Sequence, residues 1–167
     1  MTQGHSHQLI TGISFGLTSG VITALGMIVG LYAATSSKLA IVAGIVIMAI
    51  ADGLADAAGL HMAEEIEVEK GAVKHTHKEV WLTTLFTFLS VAGSILTFAI
   101  PVLILPLKTA VFVAIGWGVL LLIPLNFYIA KIKKESPIKL ISEHVLLALF
   151  VIIISCWIGS LIGTWLE

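Results

Sequence analysis

Five runs of predominantly apolar residues, at about 9–33, 39–63, 80–103, 109–130 and 145–166, take up most of this 167-residue chain. A helical crossing of the hydrocarbon core of a bilayer takes about 20 such residues. Lipid offers backbone N–H and C=O groups no partner, so each run must satisfy its own by forming a helix. The runs are continuous rather than alternating with period two, which argues against a membrane β-barrel. The sequence therefore predicts an all-α polytopic membrane protein, a five-helix transmembrane bundle forming a single domain over residues 1–167. No length is left for a soluble domain. Charged residues make up only 11% of the chain, against roughly 25% in soluble domains.

The connections are short, so consecutive helices are expected to be antiparallel neighbours. Their lysines set an orientation. Lys70, Lys74 and Lys78 fall in the second connection and Lys131, Lys133, Lys134 and Lys139 in the fourth, whereas the others hold only Lys38 and Lys108. Seven lysines against two place the second and fourth connections in the cytoplasm, with the N-terminus inside and the C-terminus outside. Residues 1–8 lack the basic segment of a secretory signal and the run that follows is too long for one, so it reads as a retained span. Ser136 and Pro137 form a start signal for the last helix. Pro124 is expected to kink the fourth. Trp81 and Trp165 fall at opposite interfaces, and Trp117 and Trp157 read as packing residues within the spans.

The net charge of −1 provides no basic face for nucleic acid. Cys156, the only cysteine, has no intrachain disulfide partner and reads as a small apolar side chain. In the first span Gly12, Gly16 and Gly20 recur every fourth residue, and Gly26 and Gly30 repeat the spacing. Such a stripe lets another backbone approach closely, either a helix of the same chain or a second copy across a homodimer seam.

The second span alone carries acidic residues well inside the bilayer. At a rise of about 1.5 Å per residue, Asp52 lies roughly 20 Å from Lys38 along the helix, and Asp56 some 6 Å further. Met48, Asp52 and Asp56, at i, i+4 and i+8, share one face. A carboxylate at depth costs a few kcal/mol, and two on adjacent turns also repel each other. The pair is tolerable if it shares a proton or a divalent cation, or if serines and threonines of neighbouring helices hydrogen-bond it. Carboxylates with a thioether suit Fe²⁺ or Mn²⁺ better than Mg²⁺. Thr18, Ser19 and Thr23 of the first span lie at a similar depth, where their hydroxyls either reach an ion or bond back to their own helix.

At the expected cytoplasmic end, His61, Glu64 and Glu65 form one helical patch (i, i+3, i+4) suited to a divalent cation. Glu67, Glu69, His75 and His77 follow; His5, His7, Glu143 and His144 face the same side. The patch reads either as a funnel that concentrates cations or as a solvated helix end. Glycine loops for phosphate, nucleophile–base sets and CxxC pairs are absent, which argues against an enzyme. Paired histidines within spans, as a haem enzyme requires, are absent too.

Residues 16–32 (GLTSGVITALGMIVGLY) and 43–67 (AGIVIMAIADGLADAAGLHMAEEIE) resemble the first two helices of the vacuolar iron transporter family. Thr87-Phe88-Leu89-Ser90 is similar to part of that family's third helix, and the number of spans agrees. The resemblance implies a homodimer in a prokaryotic plasma membrane that exports Fe²⁺, and often Mn²⁺, in exchange for protons. Its path would lie at the dimer interface, lined by the first two helices, with Asp52, Asp56 and Met48 in it. No permanently bound cofactor is implied; the metal is cargo. Two departures stand out. Ser19 occupies the place before Gly20 where the family carries an aspartate, and only residues 64–79 stand where eukaryotic members insert a cytosolic metal-binding domain. The competing expectation is a non-transporting membrane module that binds metal or a partner through its Glu/His face.

Overall fold

The computed structural model describes residues 2–69 and 76–166. Lys70, Lys74 and His75 lie outside the described residues, as do the side chains of His5, His7, Glu67 and Glu69. The described chain is helical throughout: α1 (Thr2–Thr35), α2 (Lys38–Glu69), α3 (His77–Thr97), α4 (Ala99–Ile104), α5 (Leu107–Lys133) and α6 (Pro137–Leu166). Among the described residues, five stretches are long and apolar enough to cross a membrane: Leu9–Thr35, Lys38–Ile66, His77–Ile104, Leu107–Lys133 and Pro137–Leu166. The chain is a multi-pass helical membrane protein.

Local chemistry explains where the helices depart from the hydropathy pattern. α3 and α4 form one span that is interrupted at Phe98. Pro101 has no N–H to offer the Thr97 carbonyl four residues earlier, so the ladder breaks there. α3 starts at His77 rather than 80, because the Glu79 carboxylate accepts the Thr76 backbone N–H at 2.8 Å, one half of a capping box. The last helix begins at Pro137, well before 145, as the Ser136–Pro137 signal requires. The fourth connection consequently shrinks to Lys134-Glu135-Ser136, and Lys134 turns the chain with φ 57°. α5 runs unbroken through Pro124. At the other end of the bundle, the Lys38 ammonium donates to the Leu103 carbonyl at 2.8 Å and closes the C-terminus of α4.

α1 is the central element. Half of its most apolar window is buried, against 11% for α6. It runs parallel to α3 and α6 and antiparallel to α2 and α5, as its register shows: Gly16 faces Ser90, Gly30 faces Ser155, Met27 faces Gly44 and Leu25 faces Gly118. The core is built from Val21, Leu25 and Ile28 of α1, Ile41 and Ile45 of α2, Val91 and Ile95 of α3, and Ala110, Ala114 and Leu122 of α5.

The glycine stripe is consumed within the chain. A Cβ on Gly16 would fall 2.7 Å from Ser90 Cβ and 2.8 Å from the Thr87 carbonyl oxygen. The run Gly12, Gly16, Gly20 therefore serves α3, and Gly26 and Gly30 serve α6. Of the two expectations for this stripe, intrachain packing is the one observed. Trp157 also departs from expectation: it is 65% exposed and faces outward rather than packing within the bundle. Trp117 donates its indole N–H to Thr97 at 2.9 Å.

Candidate intramembrane carboxylate site

On α2, Ile41, Ile45, Ala49, Gly53 and Ala57 recur every fourth residue and form the buried ridge. Gly53 fits there because Phe88 of α3 lies against it. Met48, Asp52 and Asp56 run one position to the side, so the carboxylates are turned towards α1 by the same periodicity that buries the ridge. Met48 packs against the hydrophobic core.

Asp52 is held by a hydroxyl. Thr23 Oγ1 donates to Asp52 Oδ2 at 2.9 Å, and its proton is shared with the Ser19 carbonyl oxygen, also at 2.9 Å. Ser19 lies within hydrogen-bonding reach of Asp56, which also feels the charge of Asp52. Asp56 Oδ2, however, is fully enclosed and has no hydrogen-bond partner. Of the two expectations for the Thr23 hydroxyl, bonding back to its own helix is observed, and the expectation that hydroxyls of a neighbouring helix hydrogen-bond the aspartate pair is met by Thr23 and Ser19. Ser19 thus contacts the carboxylate of the facing helix.

The orphaned oxygen is the feature that needs a chemical explanation. A buried carboxylate oxygen without a donor leaves part of the desolvation cost uncompensated. A proton or a cation on that oxygen offsets the cost. Asp52 and Asp56 are, among the described residues, the only acidic pair on adjacent turns of a membrane span. Among the described residues, no three of His, Cys, Asp and Glu gather closely enough to hold a metal ion. One chain thus supplies two carboxylates, whereas Mn²⁺ takes about six donors in its usual octahedral geometry.

The patch at the end of α2 stands apart. His61 Nδ1 is 2.8 Å from the Thr84 hydroxyl, and its ring packs on Trp81 with centroids 4.6 Å apart. His61 Nε2 is 3.8 Å from one Glu65 oxygen, and His77 Nδ1 is 3.9 Å from the other. His61 therefore fastens the end of α2 to the start of α3, with Glu65 between two imidazoles. Glu64 is half-buried beside them. The pairing of Thr84 and Trp81 with His61 had no signal in the sequence, because it depends on the register between α2 and α3.

A cavity of about 660 Å³ lies on another side of α1, between it, α5 and α6. Ser19 and Thr23 line it as well, together with Thr18, Asn126, Lys133 and His144. Asn126, the chain's only asparagine, is 0% exposed. Its Nδ2 donates to the Leu122 carbonyl at 2.8 Å, and its Oδ1 is enclosed without a partner. Sequence reasoning missed it, although a lone asparagine in an apolar span was a readable signal.

The chain is similar to a protein of Methanocaldococcus jannaschii, the uncharacterized protein MJ0645, with 29% identity over 143 residues, 74% of each chain. No family model matches the sequence, and no solved structure matches the chain.

Proposed function

We propose that this protein is a proton-coupled exporter of divalent transition metal, Fe²⁺ or Mn²⁺, acting as a homodimer in a prokaryotic plasma membrane. The observation that carries the reading is the enclosed, unpartnered Oδ2 of Asp56, one turn from Asp52. A site with two carboxylates and one missing donor alternates naturally between protons and a dication, because either neutralises it. The metal would arrive from the cytoplasmic end past His61, Glu64 and Glu65, displace protons from the pair, and leave on the far side. Protons entering from outside would then restore the carboxyls. The likeness of residues 16–32 and 43–67 to the vacuolar iron transporters agrees with this chemistry.

Two carboxylates leave a metal under-coordinated, and a second copy would double them. Ala51, Ala55 and Gly59 form an exposed small-residue stripe on α2 next to the aspartates, and a Cβ on Gly59 would meet nothing within 4 Å. Such a surface suits close helix–helix contact in lipid. The decisive measurement is metal flux into proteoliposomes under an imposed pH gradient. Asp52→Asn and Asp56→Asn are each expected to abolish it. Wild-type flux in the double variant would sink the assignment.

The placement of Glu65 between His61 and His77 favours a second reading, a module that binds metal or a partner at its cytoplasmic face without transport. It predicts metal binding that survives Asp52→Asn with Asp56→Asn but is lost in His61→Ala with Glu65→Gln.

A further inference from the structure

The cavity between α1, α5 and α6 is a groove with apolar walls and a cation at one end. Small side chains, Ser14 and Thr18, line it on α1, with Ile129 and Ile132 of α5 and Leu147 of α6 as its walls. Phe15, Ile132 and Leu147 are 42%, 48% and 49% exposed, so the groove opens sideways on the surface that meets lipid. Its lining contains no acidic residue. Gly118 of α5 faces Leu25 of the antiparallel α1; fifteen residues on along α5, and fifteen back along α1, stand Lys133 and Ile10. Lys133 therefore marks the end of the groove nearest the bilayer surface. We propose that this groove seats one acyl chain of an anionic phospholipid, drawn from the leaflet at the lysine-rich end, with its phosphate against the Lys133 ammonium. The proposal does not rest on the transport reading.

Length and width select this occupant. Along α1 the lining runs from Ile10 to Thr23, roughly 20 Å at the helical rise. The hydrocarbon of one leaflet is about 15 Å deep, so the groove spans the distance from a headgroup to the tip of its tail. A helix of a second copy, about 10 Å across, would displace on the order of 1,600 Å³ over that length. The groove holds about 660 Å³, too little for a helix and enough for the thinner acyl chain. The tail would end against Ser19 and Thr23, whose other contacts are the aspartates of α2. A seated lipid would thus back α1 where it holds the carboxylate pair.

Charge selects the headgroup. Where α5 ends and α6 begins, Lys131, Lys133, Lys134 and Lys139 outnumber Glu135 and Glu143. Glu143 is turned to Lys139 at 4.0 Å, and among the described residues no carboxylate pairs with Lys133. His144 also lines the groove, but its Nδ1 donates to the Leu140 carbonyl of its own helix at 2.9 Å. The Lys133 ammonium is thus the free cation of the lining, and basic groups between membrane helices at the bilayer surface recognise anionic headgroups. A zwitterionic lipid offers the same tail but brings its own cation to that ammonium.

The test uses the full-length protein in phosphatidylcholine bilayers that carry a trace of phosphatidylglycerol with a diazirine at the end of one acyl chain. Phosphatidylcholine with the same photoreactive chain is the control, and labelled positions are mapped by peptide mass spectrometry. We expect the phosphatidylglycerol probe to label residues 18–23 of α1 and Leu147 of α6 at least tenfold more than the control does. Both probes should label Leu120 and Ile153, exposed on the outer surface, to the same extent. Lys133→Gln is expected to bring groove labelling down to the control level, and Lys133→Arg to retain it. Equal groove labelling by the two probes in the wild type, or undiminished labelling in Lys133→Gln, would overturn the anionic lipid. A second copy in the groove would appear instead as a disulfide-linked dimer of Ile129→Cys in a Cys156→Ser background, without groove labelling, and would overturn the proposal as well. None of these measurements requires metal flux, so their failure leaves the transport reading untouched.

Discussion

Thr23 and Asp52 join the two central helices of the site through one proton, which the Thr23 hydroxyl directs to Asp52 Oδ2 at 2.9 Å while 2.9 Å from the Ser19 carbonyl. A hydroxyl with an acceptor in its own helix can release the carboxylate without being left unsatisfied. That arrangement holds Asp52 in place and still lets it exchange partners, which a permanent ion pair would not allow.

Replacing Thr23 by valine keeps the shape and removes the donor. Asp52 would then lose its hydroxyl partner at depth, a cost of about 1–3 kcal/mol. We expect Thr23→Val to lower the melting temperature in detergent and to reduce metal flux at least tenfold, whereas Thr23→Ser retains both. Equal melting temperatures for Thr23→Val and the wild type would remove the bond from the energetics of the site.

Asp56 behaves in the opposite sense. Its Oδ2 has no partner, so Asp56→Asn removes a charge that the Ser19 contact only partly offsets. The expected outcome is a more stable but inactive protein, with stability raised by about 1 kcal/mol and flux abolished, a trade-off typical of functional sites. Thermal unfolding in metal-free buffer checks the first part and proteoliposome flux the second.

How much of this was readable in advance depends on which interaction decides each feature. The five spans were legible because lipid forces every backbone group into a helix, and composition alone reports that. The early start of α6 was written in Ser136 and Pro137, although the apolar run begins only after His144. The glycine stripe announced a close approach but not its partner, since α3 and a second copy make the same demand on Gly16. Asp52 and Asp56 were conspicuous because a carboxylate in lipid is costly. Asn126, a neutral amide with a smaller cost, was readable as a lone asparagine in a span but was less conspicuous than the two carboxylates. Trp157 was misplaced because an indole's preference for burial does not say which face of a helix is turned inward.

At the end of α2, Glu65 lies 3.8 and 3.9 Å from the two imidazoles of His61 and His77, distances longer than hydrogen bonds. Such a loose group attracts a cation more than it holds one. Glu65→Gln together with Glu64→Gln is expected to raise the apparent KM for metal several-fold at low ionic strength, with the maximal rate unchanged. The difference should vanish at high salt, since it arises from the field at the mouth. A fall in the maximal rate at saturating metal would instead place these carboxylates in the transport step.

Packing and assembly separate cleanly through two small-residue surfaces. Gly16 is closed in by Thr87 and Ser90 of its own chain, so Gly16→Leu overpacks the α1–α3 contact at a cost of about 1–3 kcal/mol and should lower the melting temperature of any oligomeric form. Ala55 is exposed on α2, one turn from Gly59, where an added Cβ would meet nothing within 4 Å. Ala55→Trp is accordingly expected to leave the fold intact, as read by circular dichroism, and to shift the protein from dimer to monomer in light scattering of detergent-solubilised samples. Flux should fall with the dimer if the partner's carboxylates complete the metal's coordination. A dimeric Ala55→Trp variant would move the seam away from α2, and would leave the aspartates to bind their cargo with donors from one chain and water alone.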